Sequence, residues 1–239
     1  MKQRLDKELT QRQMASSRSQ AENFVRLGKV LVNGKAAKKA GQMVGERDTI
    51  TVTLDERYVS RAGLKLASVA QQLGVSFADA TVLDIGSSTG GFTDYALQHG
   101  AKKVFAVDVG TDQLHPSLHG KDKIELYEKT DIRDFYTDEP IDIIVGDVSF
   151  ISLREILPHV AKNLMHPATE LVAMVKPQFE AGKHQVNKGV IKNNKVRREI
   201  LADFELWAQT YFVILDKRDS DVAGAKGNLE RFYKLRLRK

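Results

Sequence analysis

The sequence predicts an α/β fold: a mostly parallel sheet with helices on both faces, preceded by a small α+β module. Three observations carry that prediction. From about residue 61 onward, short apolar runs of strand length alternate with stretches of helical periodicity. The first of those runs, Thr81-Val-Leu-Asp-Ile85, ends in a turn rich in Gly, Ser and Thr that opens a helical pattern at Gly91. Such a turn lets the backbone approach a ligand at a helix N-terminus. Charge, finally, is unevenly placed. Residues 1–57 carry 12 Lys and Arg against seven Asp and Glu, a net of +5, whereas the remaining 182 carry 25 against 24. A basic module ahead of a nearly neutral one suggests that the first engages phosphates; an unspecific basic surface is the plain alternative. The 239 residues suit one α/β domain with a small appendage.

The elements follow in order. Arg4 to Gln13 and Ser17 to Gly28 have helical spacing, with Ser16 or Ser17 as N-cap of the second helix and Gly28 as its stop. Val30–Val32 is a short strand running into Asn33-Gly34, the strongest hairpin dipeptide. Gly45–Asp48 turns into an alternating strand, Thr49–Thr53. Residues 1–54 form the first module, the polar stretch 55–60 a linker and 61–239 the second module. There, helix 62–73 precedes strand 81–85, helix 91–99, strand 103–108, strand 124–128, strand 141–146, helix 153–163 and strand 169–175. A polar loop from Pro177 to about Lys192, helix 196–210 and strands 211–217 and 229–237 complete it. That makes seven strands, and the last two, joined without a helix, read as an antiparallel edge hairpin.

Composition excludes several classes of function. The chain has no cysteine, which removes disulfides, thiolate zinc sites and the thiolate nucleophile generally needed to methylate a pyrimidine ring carbon. Six scattered histidines lack metal-ligand spacing, so no metal is expected. No apolar stretch approaches 18 residues, and the charged N-terminus lacks a signal-peptide core; the expectation is a cytoplasmic protein without a membrane partner.

The turn after Ile85 is neither G-x-G-x-x-G nor a P-loop. Its form, Asp84-x-Gly86-x-Ser88-x-Gly90-Gly91-Phe92, resembles the S-adenosylmethionine (SAM) loop of class I methyltransferases; a glycine-rich turn of another doubly wound fold is the alternative. Asp108, at the end of the next strand, is placed to accept hydrogen bonds from the ribose hydroxyls of an adenosyl cofactor. Asp131, followed by Ile132, is placed to accept from the adenine amino group; capping or turn formation is the alternative for each acid. Asp147 ends the fourth strand, and Lys176 closes an otherwise apolar one, which delivers it to the rim of the crevice.

Two resemblances extend this reading. Arg4-Leu5-Asp6, Ser17-Arg18-Ser19-Gln20-Ala21 and Gly28-Lys29-Val30-Leu31-Val32-Asn33-Gly34-Lys35 resemble the S-four RNA-binding domain, which implies that Arg4, Arg18 and Lys29 face RNA. Ser60-Arg61-Ala62-Gly63-Leu64-Lys65-Leu66, the SAM loop, Gly146-Asp147-Val148-Ser149-Phe150, Val175-Lys176-Pro177-Gln178-Phe179-Glu180 and Lys226-Gly227-Asn228-Leu229-Glu230 resemble, in the same order, the TlyA (haemolysin A) family. These are S-four plus FtsJ-like ribosomal RNA 2′-O-methyltransferases. The resemblance implies a class I SAM-dependent methyltransferase domain with a Rossmann-like, mostly parallel seven-stranded sheet and an S-four-like N-terminal domain. It also implies a catalytic set of Lys65, Asp147, Lys176 and Glu230, and a cytidine of ribosomal RNA, free or in a subunit, as acceptor. Lys176 is then the base or the hydroxyl-orienting group, and a neighbouring Lys65 cation would favour loss of its proton. Asp147 steers the hydroxyl and Glu230 holds the lysines. The Lys- and Gly-rich stretch Phe179–Asn193 reads either as a lid that orders with RNA or as a mobile loop; Lys195, Arg197 and Arg198 extend the RNA surface or simply start an exposed helix face. The rival functions are a non-catalytic RNA-binding assembly factor and a haemolysin acting on membranes.

Overall fold

A computed structural model describes residues 2–15, 17–26, 28–52, 57–182, 186, 189–191, 193–224 and 227–238. The chain divides into two compact units, Met1–Glu56 and Arg57–Lys239.

The first unit contains β1 (Gln3–Arg4), α1 (Leu5–Gln11), α2 (Arg18–Arg26), β2 (Val30–Val32), β3 (Lys35–Ala36), β4 (Met43–Val44) and β5 (Ile50–Val52). Leu5 and Leu9 of α1, Ala21 and Val25 of α2, and Val30 and Val44 form its core. Both turn residues of the β2–β3 hairpin have positive φ, Asn33 at 53° and Gly34 at 75°, as a type I′ turn requires. Asn33 does more than turn the chain: its side chain donates to Asp48 and accepts from the Thr49 N–H, tying the hairpin to the turn before β5. Helix α1 stops at Gln11, two residues short of the expectation, because Gln13 has a left-handed φ of 57°. The β1–β4 pair, two residues on each side, is too short to show periodicity and was not expected. The candidate cap Ser16 and the strand end Thr53 lie outside the described residues.

In the second unit α3 (Arg61–Ala70) leads to β6 (Thr81–Ile85), α4 (Gly91–Gln98), β7 (Lys103–Val107), β8 (Ile124–Tyr127), β9 (Ile143–Gly146), α5 (Leu153–Asn163) and β10 (Glu170–Val175). There follow α6 (Pro177–Glu180), α7 (Asn194–Ala208), β11 (Phe212–Asp219) and β12 (Arg231–Leu237). One seven-stranded sheet has the order β11-β12-β10-β9-β6-β7-β8, parallel except for β12, which runs antiparallel to both β10 and β11. Alternate residues of β6 feed the two faces: Val82 packs with Leu66 of α3 and Phe92 of α4, and Leu83 with Ile156 of α5 and Phe204 of α7. Strand order reverses between β6 and β9, so a crevice opens beyond their C-terminal ends, where open α/β sheets bind ligands. The one-turn helix α6 replaces the start of the expected polar loop.

Part of the expected linker belongs to this second unit. Tyr58 is buried with its ring 5.3 Å from that of Tyr95, and the Val59 N–H donates to Asp94 Oδ2 at 2.9 Å. Asp55 and Glu56 lie outside the described residues.

Candidate active site

Strand β6 brings Asp84 and Gly86 to the crevice, and the turn that follows is held by the next strand's acid. Asp108 accepts from the Ser88 N–H at 2.8 Å and from the Gly110 N–H at 2.7 Å, one bond to each carboxylate oxygen. Those bonds fix Ser88 at a left-handed φ of 46°, unusual for a residue with a side chain. The Ser88 hydroxyl in turn donates to Gln113 Oε1 at 3.1 Å. Gly86 (φ 77°) packs so closely under β9 that a Cβ there would stand 3.0 Å from the Asp147 carbonyl oxygen.

A cavity of about 360 Å³ lies over these strand ends, lined by Gly86, Ser88, Asp108, Gln113, Asp131, Ile132, Val148 and Phe150. A smaller one of about 120 Å³ is lined by Asp84, Ser87, Phe92 and Lys176. Gly86, Ser88, Asp147 and Ser149 line both, so the two adjoin at the end of β9.

The paired glycines also answer a packing demand. A Cβ on Gly90 would sit 2.4 Å from Leu118 Cδ1, and one on Gly91 would sit 2.8 Å from the Gly63 nitrogen. Both let neighbouring segments of the protein pack close, and their neighbours Thr89 and Phe92 line the smaller cavity.

Asp84 is 1% exposed. Its Oδ2 accepts from the Thr93 N–H (2.9 Å) and hydroxyl (2.7 Å), while Oδ1 has no hydrogen-bond partner. Burial pushes this carboxyl up to about 7 against the pull of the Thr93 bonds, and the charges of Asp147 and Asp108 add to the rise. Asp131 is the opposite case. Both its oxygens are taken by Arg133, through the backbone N–H at 2.9 Å and the guanidinium at 2.9 and 2.6 Å, and it caps the 3-10 turn Ile132–Asp134. The Arg133 side chain holds its carboxyl down at about 2. The capping alternative therefore describes Asp131 as it stands, while Ile132 is buried in the cavity wall.

The four residues of the expected catalytic set form two ion pairs. Lys176 Nζ lies 2.5 Å from Asp147 Oδ1 and donates to Ser149 Oγ at 2.6 Å. Lys65 Nζ lies 2.6 Å from Glu230 Oε2, and both side chains are buried. This corrects the expected electrostatics. Each lysine has its own carboxylate, so Lys65 is not a bare cation acting on Lys176, and the carboxylate paired with Lys176 is Asp147 rather than Glu230. Of the four, Asp147 and Lys176 line a cavity. Glu230 also explains Gly224, where a Cβ would fall 2.3 Å from Glu230 Oε1.

Sequence reasoning passed over Ser149, Gln113 and Phe150. Phe150 has a φ of 68° and is 91% exposed, with its ring 5.4 Å from Phe179. Its signal was available: an aromatic two residues beyond the Val148 that follows a strand-ending acid, in a segment that leaves the sheet.

In the first unit, Arg4 and Arg18 both grip the fully buried Asp6, at 2.8 and 3.0 Å to Oδ2. Each arginine side chain remains more than half exposed, so both also present positive charge outward. Lys29 is partly buried at the exit of α2. Arg197 does not extend a basic surface: it is buried and pairs with Asp219 at 2.5 Å, whereas Lys195 and Arg198 are exposed. Of the candidate lid, residues 183–185, 187, 188 and 192 lie outside the described residues. Among the described residues no cluster could hold a metal ion, and no helix is long and apolar enough to cross a membrane.

Comparison with known proteins gives two family matches: the S4 domain over residues 3–50 and the FtsJ-like methyltransferase over residues 58–237. The chain is 39% identical to hemolysin A of Brachyspira hyodysenteriae over 95% of its own length and 97% of the relative's. It is 37% identical to the 23S rRNA (cytidine-2′-O)-methyltransferase TlyA of Campylobacter jejuni, over 91% and 93%. A solved structure from Streptococcus thermophilus, named only provisionally as a hemolysin, superposes with a TM-score of 0.78 at 36% identity, covering 99% of this chain and 88% of that one.

Proposed function

The chain belongs to the FtsJ-like methyltransferase family, in the TlyA branch that carries an S4 domain ahead of the catalytic domain, and on that premise we propose that it transfers a methyl group from SAM to the ribose 2′-hydroxyl of a cytidine in ribosomal RNA. The observation that carries this reading is the Lys176–Asp147 pair, a buried lysine against a half-buried carboxylate where the two cavities adjoin. Ribosomal RNA, free or in a subunit, is then the partner, and the cytoplasm the place of action.

The residues present fit the cofactor. Ile85, Val107, Ile132 and Val148 offer apolar walls suited to an adenine, with the Asp108 carboxylate at the edge for the ribose hydroxyls. In the smaller cavity the unpartnered Oδ1 of Asp84 suits the ammonium group of the methionyl part. When bound, the cofactor supplies an electrophilic methyl group on a sulfonium.

What remains for the protein is to present a weakly acidic hydroxyl in line and to manage its proton. Lys176 is held as a donor between Asp147 and Ser149, the arrangement of a group that orients the acceptor oxygen and stabilises the charge developing on it. Asp147 accepts the hydroxyl hydrogen. The buried Lys65–Glu230 pair fixes the far side of the site from α3 and the start of β12. Phe150 offers an exposed ring beside the acceptor, a surface on which a base can stack. Arg4, Arg18 and Lys29 contribute charge toward RNA phosphates.

Lys176→Ala tests the assignment. SAM binding, measured by calorimetry, is expected to stay within about twofold, while methyl transfer to ribosomal RNA falls at least ~100-fold. Near-normal turnover in this variant sinks it. Mapping 2′-O-methylation in cells with and without the gene identifies the nucleotide. SAM binding by the wild-type protein without transfer to ribosomal subunits would favour the non-catalytic assembly factor instead.

A further inference from the structure

Glu180 is a buried acid that the proposed chemistry does not use. It ends α6, four residues beyond Lys176, and its side chain is 1% exposed. Its Oε1 accepts from the Leu153 N–H at 2.7 Å and its Oε2 from the Ser152 hydroxyl at 2.5 Å, with the Arg154 guanidinium 3.5 Å away. Leu153 is the first residue of α5, so one of these donors is a backbone group the helix itself leaves unpaired. Burial raises the Glu180 carboxyl above its ordinary value, and the Ser152 and Leu153 bonds oppose that rise.

The place of this contact gives it meaning. Residues 147–152 leave β9 and residues 176–180 leave β10, and the two segments face each other across the rim of the site. They are joined by Lys176 to Asp147 and Ser149, by the Phe150–Phe179 ring contact, and by Glu180 to Ser152 and Leu153. The Lys176 and Phe150 contacts involve groups that must also meet the acceptor. Glu180 alone of these makes its bonds wholly inside the protein, and through Arg154 they continue to Asp203 and the Trp207 ring of α7. Between these anchors stands Phe150, an aromatic residue in the left-handed region, a conformation that persists only when its surroundings impose it.

We propose that Glu180 is a positioning residue: it latches the segment after Lys176 to the start of α5 and so fixes Asp147, Ser149 and Phe150 relative to Lys176. The catalytic part of this proposal rests on the 2′-O-transfer reading above. Loss of the latch acts first on the 147–150 wall of the crevice, whereas Asp84, Gly86, Asp108 and Ile132 come from segments outside the two it joins and keep most of the cofactor contacts in place.

The test uses the full chain with Glu180→Ala and Glu180→Gln, assayed for kcat, RNA KM, SAM Kd and amide hydrogen exchange over residues 148–153. For Glu180→Ala, kcat is expected to fall at least ~10-fold, as misplacement of reacting groups does. SAM Kd should stay within about twofold and exchange over 148–153 should rise. Glu180→Gln should recover most of kcat, since its carbonyl oxygen still accepts from Leu153. A Glu180→Ala protein that melts earlier yet keeps wild-type kcat and KM would show a helix cap and nothing more, and would overturn the proposal. Should that variant fail to fold, Ser152→Ala removes one donor and is expected to give the same pattern in weaker form; unchanged kcat and exchange there overturn it equally. If the wild-type chain transfers no methyl group to ribosomal RNA, the functional reading falls by itself, while unchanged exchange over 148–153 in the variant would still refute the latch.

Discussion

Each unit of this molecule buries an aspartate almost completely, and the two are opposites. Asp6 in the first unit, 0% exposed, is gripped by two arginines and accepts the Lys7 N–H, so its carboxyl is held well below the usual range, chiefly by Arg4. Asp84 in the second, 1% exposed, satisfies one oxygen on Thr93 and leaves the other bare, and burial pushes it up to about 7. A buried charge with partners is part of the scaffold. A buried carboxylate oxygen with none, facing a cavity, is poised for something that arrives later. The difference separates architecture from function more sharply than burial or charge does alone.

The comparison can be broken first through pH. An acid whose folded value lies above its unfolded one stabilises the fold below the unfolded value, and that stability is lost as pH rises through the folded one. Asp84 should therefore make the catalytic unit less stable between about pH 4 and pH 7, by up to roughly 4 kcal/mol at about 1.4 kcal/mol per unit. Denaturant midpoints at pH 5 and pH 8 should differ less in Asp84→Asn than in wild type; equal slopes would show that the bare oxygen is not titrating. Asp6 has the reverse sign: its contribution is present above its unfolded value and is lost only as pH falls below the ordinary aspartate range.

Next comes ligand affinity. If the bare oxygen of Asp84 awaits a cation, Asp84→Asn should weaken SAM binding by ~10- to 100-fold, the worth of about 1.5–3 kcal/mol for a charged hydrogen bond. Binding to wild type near pH 7 should release a proton, visible as a buffer-dependent heat. A scaffold acid should show neither effect. Asp6→Ala should instead cost the first unit about 2 kcal/mol, read as faster hydrogen exchange at Leu9 and Val25, with SAM binding unchanged. The smallest effect belongs to Asp131, half-buried and engaged by its exposed neighbour Arg133. Arg133→Ala should leave the denaturant midpoint almost unchanged, but it should return the Asp131 carboxyl from about 2 toward its ordinary value, measurable by NMR titration.

What the sequence disclosed and what it hid follow from the range of the interactions involved. The β6–turn–α4 unit was legible because an apolar run, a glycine turn and a helical pattern are contiguous, and the strand-end positions of Asp108 and Asp147 came with it. Partnerships were not legible. Lys65 meets Glu230, and Glu180 meets Ser152 and Leu153, only because the sheet order brings distant segments together. Asp131 is the instructive case: a cap was among its expected readings, yet its Arg133 partner, only two residues away in the chain, was not foreseen. At Gly90 and Gly91 the side-chain space is taken by Leu118 and by the Ser60–Gly63 segment, neighbours the sequence could not name. Local sequence specifies that a side chain must be absent, not what occupies the space.

Strand β12 is synthesised after β11 yet lies between β10 and β11 in the sheet. On a growing chain, β11 therefore has no place to pair until β12 has emerged, and the β10 edge stays open until then. Glu230, the partner of Lys65, immediately precedes that strand. Assembly of the sheet and closure of the buried Lys65–Glu230 pair thus become one late event, reached only after the whole first unit and all the parallel strands have been made.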